Sequence, residues 1–258
     1  MKILFAGDYH LKPQMLEPLK RLADTHQPDR IVFLGDLVDD WDAAALDYDR
    51  GLEQLADFVN KQGRATVTLL YGNHDLRYLE WPPVMDGFGY NASAALLIKE
   101  SLEANADIMR VAEDAMDAAG SPWLFTHAGL TKDWAKRYLA NDMSSPNPDV
   151  TVIADSLNAM VTTAQGRAEL QTVGYLRGGR GIPGPLWADF DELTSNLFPG
   201  INQVIGHTPQ TTCQHLTTDN GDQVWACDTW STYMNNRPIG DRSFLLMDFA
   251  STEATVLR

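Results

Sequence analysis

Five short apolar runs in this chain each stop at residues able to bind a metal, and this constrains the fold more than any other feature. Ile3-Leu4-Phe5-Ala6 runs into Gly7-Asp8-Tyr9-His10, and Ile31-Val32-Phe33-Leu34 runs into Gly35-Asp36. Val67 to Tyr71 meets Gly72-Asn73-His74-Asp75, Trp123 to Thr126 meets His127, and Val204-Ile205 meets Gly206-His207. Runs of this length, bounded mostly by glycine, read as buried strands. In α/β sheets the ligand crevice lies beyond the carboxyl ends of such strands. The pattern therefore brings Asp8, His10, Asp36, Asn73, His127 and His207 to one edge of a core. This mixture of oxygen and nitrogen donors suits a two-metal hydrolytic site.

The segments between the runs support that layout. Pro13 to Leu22 carries Met15, Leu16, Leu19 and Leu22 at helical spacing, and Ala43 to Asn60 does the same with Leu52, Leu55, Ala56 and Val59. A βαβαβ order predicts a parallel sheet with right-handed crossovers. Trp81-Pro82-Pro83 through Asn91 reads as loop, and Ala94 to Ala119 as one or two helices. Residues 81–120 are thus expected to form a helical insert, serving as a lid, a substrate-selecting element or plain padding. Thr131 to Ala140 and Val150 to Thr172 look helical, and Arg177 to Pro185 reads as a Gly- and Pro-rich loop. From Gln203 onward the chain is mostly β, and its hairpin spacing predicts a second, antiparallel-rich sheet. Nothing resembles a linker, so a single domain over residues 1–258 is expected.

Composition sets limits on partners. A net charge of −15, from 35 acidic and 20 basic residues, argues against a stable nucleic-acid complex. It leaves an anionic substrate open, because two bound cations would dominate the local field. The two cysteines, Cys213 and Cys227, flank a turn at Asp219-Asn220-Gly221-Asp222 and are read as reduced thiols. The N-terminal apolar run is too short for a signal peptide, and no run reaches membrane-spanning length. The expectation is a soluble, cytoplasmic protein with no membrane partner.

Asp36 is the best bridging carboxylate, since it follows the second run directly and two oxygens can hold two cations. Asp8 and His10 lie two apart and would share one face of a regular strand. Asn73, His127 and His207 would complete the second metal. His26 and His215 lack such a setting and read as ordinary.

The series Gly7-Asp8-Tyr9-His10, Gly35-Asp36-Leu37-Val38-Asp39, Gly72-Asn73-His74-Asp75, His127-Ala128-Gly129 and Gly206-His207-Thr208 resembles the calcineurin-like metallophosphoesterases. Within them it is similar to the phosphoprotein-phosphatase branch, which includes bacterial and phage Ser/Thr phosphatases and diadenosine tetraphosphatases. The resemblance implies an α/β (α+β) four-layer sandwich of two packed mixed β-sheets flanked by helices. It implies two divalent ions, with Mn favoured over Fe, Zn or Ni: one on Asp8, His10 and Asp36, the other on Asp36, Asn73, His127 and His207. It also implies attack by a metal-bridging hydroxide, with His74 as the acid and Asp39 orienting it.

Two departures stand out. Leu11 follows the first-motif histidine where many members of the branch have Gly. Asp40-Trp41 stands where they have Arg-Gly, with the arginine clamping phosphate. Arg77, Arg177 and Arg180 are the candidate replacements, since Arg suits bidentate phosphate contacts. Surface ion pairing is the competing reading, above all for Arg77. The expected activity is hydrolysis of phosphomonoesters, first on phosphorylated Ser, Thr or Tyr of proteins, next on dinucleoside polyphosphates or cyclic nucleotides. The rival from another class is a non-catalytic metal-binding interaction module, which would need neither His74 nor Asp39.

Overall fold

Alternate residues of the first strand, β1 (Lys2–Ala6), face two different cores, as the two-residue period of a strand requires. Ile3 and Phe5 enter one apolar cluster, Leu4 and Ala6 another. The structure, a computed structural model, describes residues 1–41, 43–80, 90–139 and 149–258. After β1 come α1 (Leu16–His26), β2 (Arg30–Phe33), α2 (Ala45–Gln62), β3 (Val67–Leu70) and the single turn α3 (Asn73–Leu76). Strands β1, β2 and β3 pair in parallel, as the βαβαβ order predicts. Leu52, Leu55, Phe58 and Val59 of α2 are buried in the same cluster as Leu4, Ile31 and Phe33.

The chain continues through α4 (Ala95–Ala104), β4 (Met109–Arg110), β5 (Ala112–Met116), β6 (Pro122–Thr126), α5 (Lys132–Tyr138), α6 (Val150–Met160), α7 (Ala164–Leu170) and α8 (Phe190–Ser195). It ends with β7 (Asn202–Ile205), β8 (Gln214–Thr217), β9 (Gln223–Ala226), β10 (Phe244–Asp248) and β11 (Glu253–Leu257). The strands form two sheets, ordered β11-β10-β1-β2-β3-β4 and β5-β6-β7-β9-β8. Both are mixed, and helices flank them. Ile3, Phe5, Val32, Leu34 and Leu70 of the first sheet region cluster with Trp123, Phe125 and Val204 of the second. No described helix is long and apolar enough to cross a membrane.

Two expectations need correction. The insert is not helical to residue 119: α4 stops at Ala104, and β4 and β5 lie between residues 109 and 116. Pairing of β5 with β6 over Ala112 to Met116 overrides the helix-favouring composition there. The loop expected at Trp81 to Asn91 lies, up to residue 89, outside the described residues. Val150 to Thr172 is helical as expected, in two pieces, because Thr163 caps α7 by accepting from the Gly166 amide at 3.0 Å. The C-terminal strands do not all join one sheet. β10 and β11 extend the first sheet antiparallel to β1, and β7 pairs in parallel with both β6 and β9. The hairpin at Asp219-Asn220-Gly221-Asp222 forms between β8 and β9, and the flanking Cys213 and Cys227 are buried free thiols.

The two sheets grip each other through aromatic contacts. The Phe5 and Phe125 rings meet edge to face at 4.8 Å, and Phe125 meets Phe249 at 5.9 Å. Phe125→Ala would leave a cavity between rigid sheets, costing about 3–5 kcal/mol. Urea unfolding should show that loss, and a change below about 1 kcal/mol would contradict this packing.

Candidate metal centre

The site is built on backbone turns more than on strands. β1 ends at Ala6, so Asp8 and His10 do not share a strand face as expected. They meet because His10 and Leu11 take left-handed conformations, φ 42° and 53°. Such a φ is costly for a residue as bulky as Leu. This is the position where many members of the resembling branch carry Gly. Leu11 is buried here, and a Cβ on Gly51 would come within 3.0 Å of its side chain, so Gly51 makes room for it. Asp36, Asp39 and His207 also have positive φ.

These turns aim the expected donors at common points. The ligating atoms of Asp8, His10 and Asp36 lie within 4.8 Å of one another, and so do those of Asp36, His127 and His207. Asp36 belongs to both groups. Asn73 Oδ1 lies 3.0 Å from His127 Nε2, which is 3.4 Å from Asp36 Oδ2. Glycines give the carboxylates space. A Cβ on Gly72 would sit 2.1 Å from Asp36 Oδ1, and one on Gly206 would sit 2.3 Å from Asp8 Oδ1.

The histidines are oriented through their far nitrogens. His127 Nδ1 is 2.7 Å from the Leu34 carbonyl and His10 Nδ1 is 2.5 Å from the Asp39 carbonyl. A carbonyl only accepts, so each ring donates from Nδ1 and turns Nε2 toward the carboxylates. Metal-binding histidines are commonly fixed this way. His207 Nε2 is buried and has no hydrogen-bond partner.

The electrostatics fit cations. Burial pushes the Asp8 carboxyl well up, and the Asp228 and Asp36 charges add to it. Burial also opposes the charge on Asp36, but His127, His74 and His10 outweigh it and hold that carboxyl well below the usual range. Burial would lower His127, yet Asp36 and Asp8 bring it up to about 9. A positive charge between these groups is therefore favoured. Burial lowers His10 to about 4 and His207 well below its ordinary value. Buried carboxylates packed this closely need cations or protons, and the donor set can hold two metal ions.

His74 and Asp39 form a separate arrangement beside the donors. His74 Nδ1 is 3.1 Å from Asp39 Oδ2. The hydroxyls of Tyr48 and Tyr78 donate to Asp39 Oδ1 at 2.8 and 2.7 Å, and Arg77 pairs with Oδ2. Burial opposes the Asp39 charge, but His74 and Arg77 hold its carboxyl below the ordinary range. Asp39 is thus a fixed anion that anchors one side of the His74 ring.

The three arginines have different fates. Arg77 is buried, not at the surface, and contacts both Asp39 and, at 2.6 Å, His74 Nδ1. Arg177 lines the cleft, paired with Asp189 at 2.9 Å and bonded to Thr208. Arg180 is exposed and does not line the cleft. At the position of the missing arginine, Asp40 pairs with the buried Lys12 at 2.9 Å.

Sequence reasoning assigned no role to Asp75, Asp228, Lys12 or the two tyrosines. Asp75 accepts from the amides of Leu37, Val38 and Gly72 at 2.8, 3.2 and 2.8 Å, tying the Asp36 and Asn73 turns together. Its signal was present: an acid three residues after Gly72 at a helix start is half of a capping box. Asp228 accepts from the Ser231 amide through Oδ1, and its buried Oδ2 has no hydrogen-bond partner. Burial raises it to about 6.

Asp75→Ala would strand three buried amides, at about 1–3 kcal/mol for each unpaired group. A fall in Tm of roughly 10 °C is expected from a protein of this size. An unchanged melt would show that these turns hold without Asp75.

The family model for calcineurin-like phosphoesterases matches residues 1–227. No curated protein matches the chain. A solved structure of a cold-active protein tyrosine phosphatase aligns with 100% of this chain and 78% of its own, at 16% identity and a TM-score of 0.57. A metallophosphoesterase from Sphaerobacter thermophilus aligns over 100% of this chain and 88% of its own, at 17% identity and a TM-score of 0.43.

Proposed function

This chain belongs to the calcineurin-like phosphoesterase family, and on that premise we propose that it is a dinuclear phosphomonoesterase acting on phosphorylated protein. That it hydrolyses phosphoesters of some kind follows from the family. The observation that carries the finer reading is the place of Asp36 in both donor groups, with His74 and Asp39 beside them. Asp8, His10 and Asp36 would hold one ion, and Asp36, Asn73, His127 and His207 the other, with Mn the favoured metal. Bound there, such ions supply Lewis acidity and bring the pKa of water near neutrality.

The chain's own residues then have distinct tasks. His74 carries a proton to the leaving oxygen. Asp39, kept ionised by two hydroxyls and Arg77, holds the ring at Nδ1 and leaves the other nitrogen for the substrate. An acid of this kind is worth roughly 10²–10⁴ in rate. Arg177, anchored by Asp189 and Thr208, is the cleft arginine available to a phosphoryl oxygen. A purely structural metal site would need neither His74 nor its anchored partner. A protein-borne substrate would find room in a cleft of about 1300 Å³ lined in part by His10, Asp36, Asn73 and His207. Small-ligand pockets run to about 300–1,000 Å³.

Chelation should abolish hydrolysis of p-nitrophenyl phosphate, and added Mn²⁺ should restore it. Full activity in metal-free protein would remove the mechanism. His74→Asn should keep its bound metal while kcat falls by about 10²–10⁴. Turnover equal to the wild type would exclude His74 as the acid.

A further inference from the structure

Beyond the metal centre, the cleft is apolar in an uneven and informative way. Trp41, Tyr233 and Met234 line it and remain 44%, 47% and 71% exposed. Large apolar side chains left in solvent beside a site mark a contact surface. They are also held in place. The Trp41 indole donates to the Thr232 carbonyl at 2.8 Å, joining the Asp36–Asp40 turn to the segment after Asp228. That segment folds back on itself, with the Tyr233 amide donating to Arg237 and a bridge between Thr232 and Pro238. The Arg237 guanidinium covers the Tyr233 ring at 4.9 Å. Deeper in, Trp187 meets His207 edge to face at 5.7 Å. Trp41, Tyr233, Met234 and Trp187 thus form an aromatic and thioether wall of the cleft.

The charges of the cleft point the same way. Among the described residues lining it, Lys12 is paired with Asp40, Arg177 with Asp189, Glu80 with Arg167 and Arg77 with Asp39. Each of these cations already faces a carboxylate, so the second phosphate of a dinucleoside polyphosphate would have to compete for one. The apolar wall does not match a polar sugar either.

We propose that this wall is a leaving-group subsite for an aromatic ring, so that the enzyme takes aryl phosphomonoesters, in a protein phosphotyrosine, in preference to alkyl ones. The inference rests on the phosphoprotein reading above and narrows it. The ring of the substrate would lie against Trp41, Tyr233 and Met234 while its phosphate reaches the donors. Aromatic rings contribute through both burial and edge or face contact. A phosphoserine side chain has one methylene and offers the wall nothing comparable.

The test uses the Mn-loaded full chain and two peptides identical except for phosphotyrosine or phosphoserine, with diadenosine tetraphosphate as a third substrate. A phenol leaves more readily than an alcohol, so the comparison is read in KM, not kcat. The phosphotyrosine peptide should have a KM at least tenfold below that of the phosphoserine peptide. Tyr233→Ser combined with Met234→Ser, both at exposed positions, should narrow that gap to within about threefold. Equal KM values for the two peptides in the wild type would overturn the aryl subsite while leaving the phosphatase reading intact. So would a gap that survives the double substitution, or a preference for the dinucleotide. Hydrolysis of none of the three, in protein shown to carry its metal, would bring down the underlying reading and the subsite with it.

Discussion

Asp36 is held from every side. Its carbonyl accepts from the His10 amide at 2.7 Å, and its Oδ1 accepts from the His74 amide at 2.9 Å. Its Oδ2 faces His10 Nε2 at 3.7 Å and His127 Nε2 at 3.4 Å. One residue thereby ties the ends of β1, β2 and β3 in one sheet to the end of β6 in the other. A buried carboxylate needs hydrogen bonds or positive charge around it. The turns at residues 7–11, 35–39, 72–75 and 206–208 bring together the donors that would hold such charge. Their strained left-handed residues persist because the surrounding hydrogen bonds over-determine them.

Much of this was legible in the sequence, for a definite reason. An apolar run that stops at glycine and a donor signals both a buried strand and its end. All six expected donors do converge, although some by a route different from the one expected. Spacing predicts a shared strand face for Asp8 and His10, yet the left-handed turn at His10 and Leu11 brings them together. No periodicity reveals a positive φ at a leucine.

What the sequence hid was mostly partnership across long separations. Lys12 meets Asp40, and Tyr48 and Tyr78 meet Asp39. Nothing local marks these contacts, because each depends on how separate turns are placed. Strand periodicity likewise cannot say which sheet a strand joins, which is why β10 and β11 were misplaced. The helix expected up to Ala119 failed because pairing with β6 decides the conformation of β5. Of the three arginines, spacing could not separate Arg177 in the cleft from exposed Arg180 or from Arg77, paired with Asp39.

The proposed chemistry depends on Asp36 serving two metal positions at once. The most direct measurement is the metal content of Mn²⁺-loaded protein after gel filtration, for the wild type and Asp36→Asn, with circular dichroism confirming that both are folded. Two ions per chain in the wild type and one or none in the variant is the predicted result. A folded wild type that retains no ion, or a variant that keeps both, would contradict it.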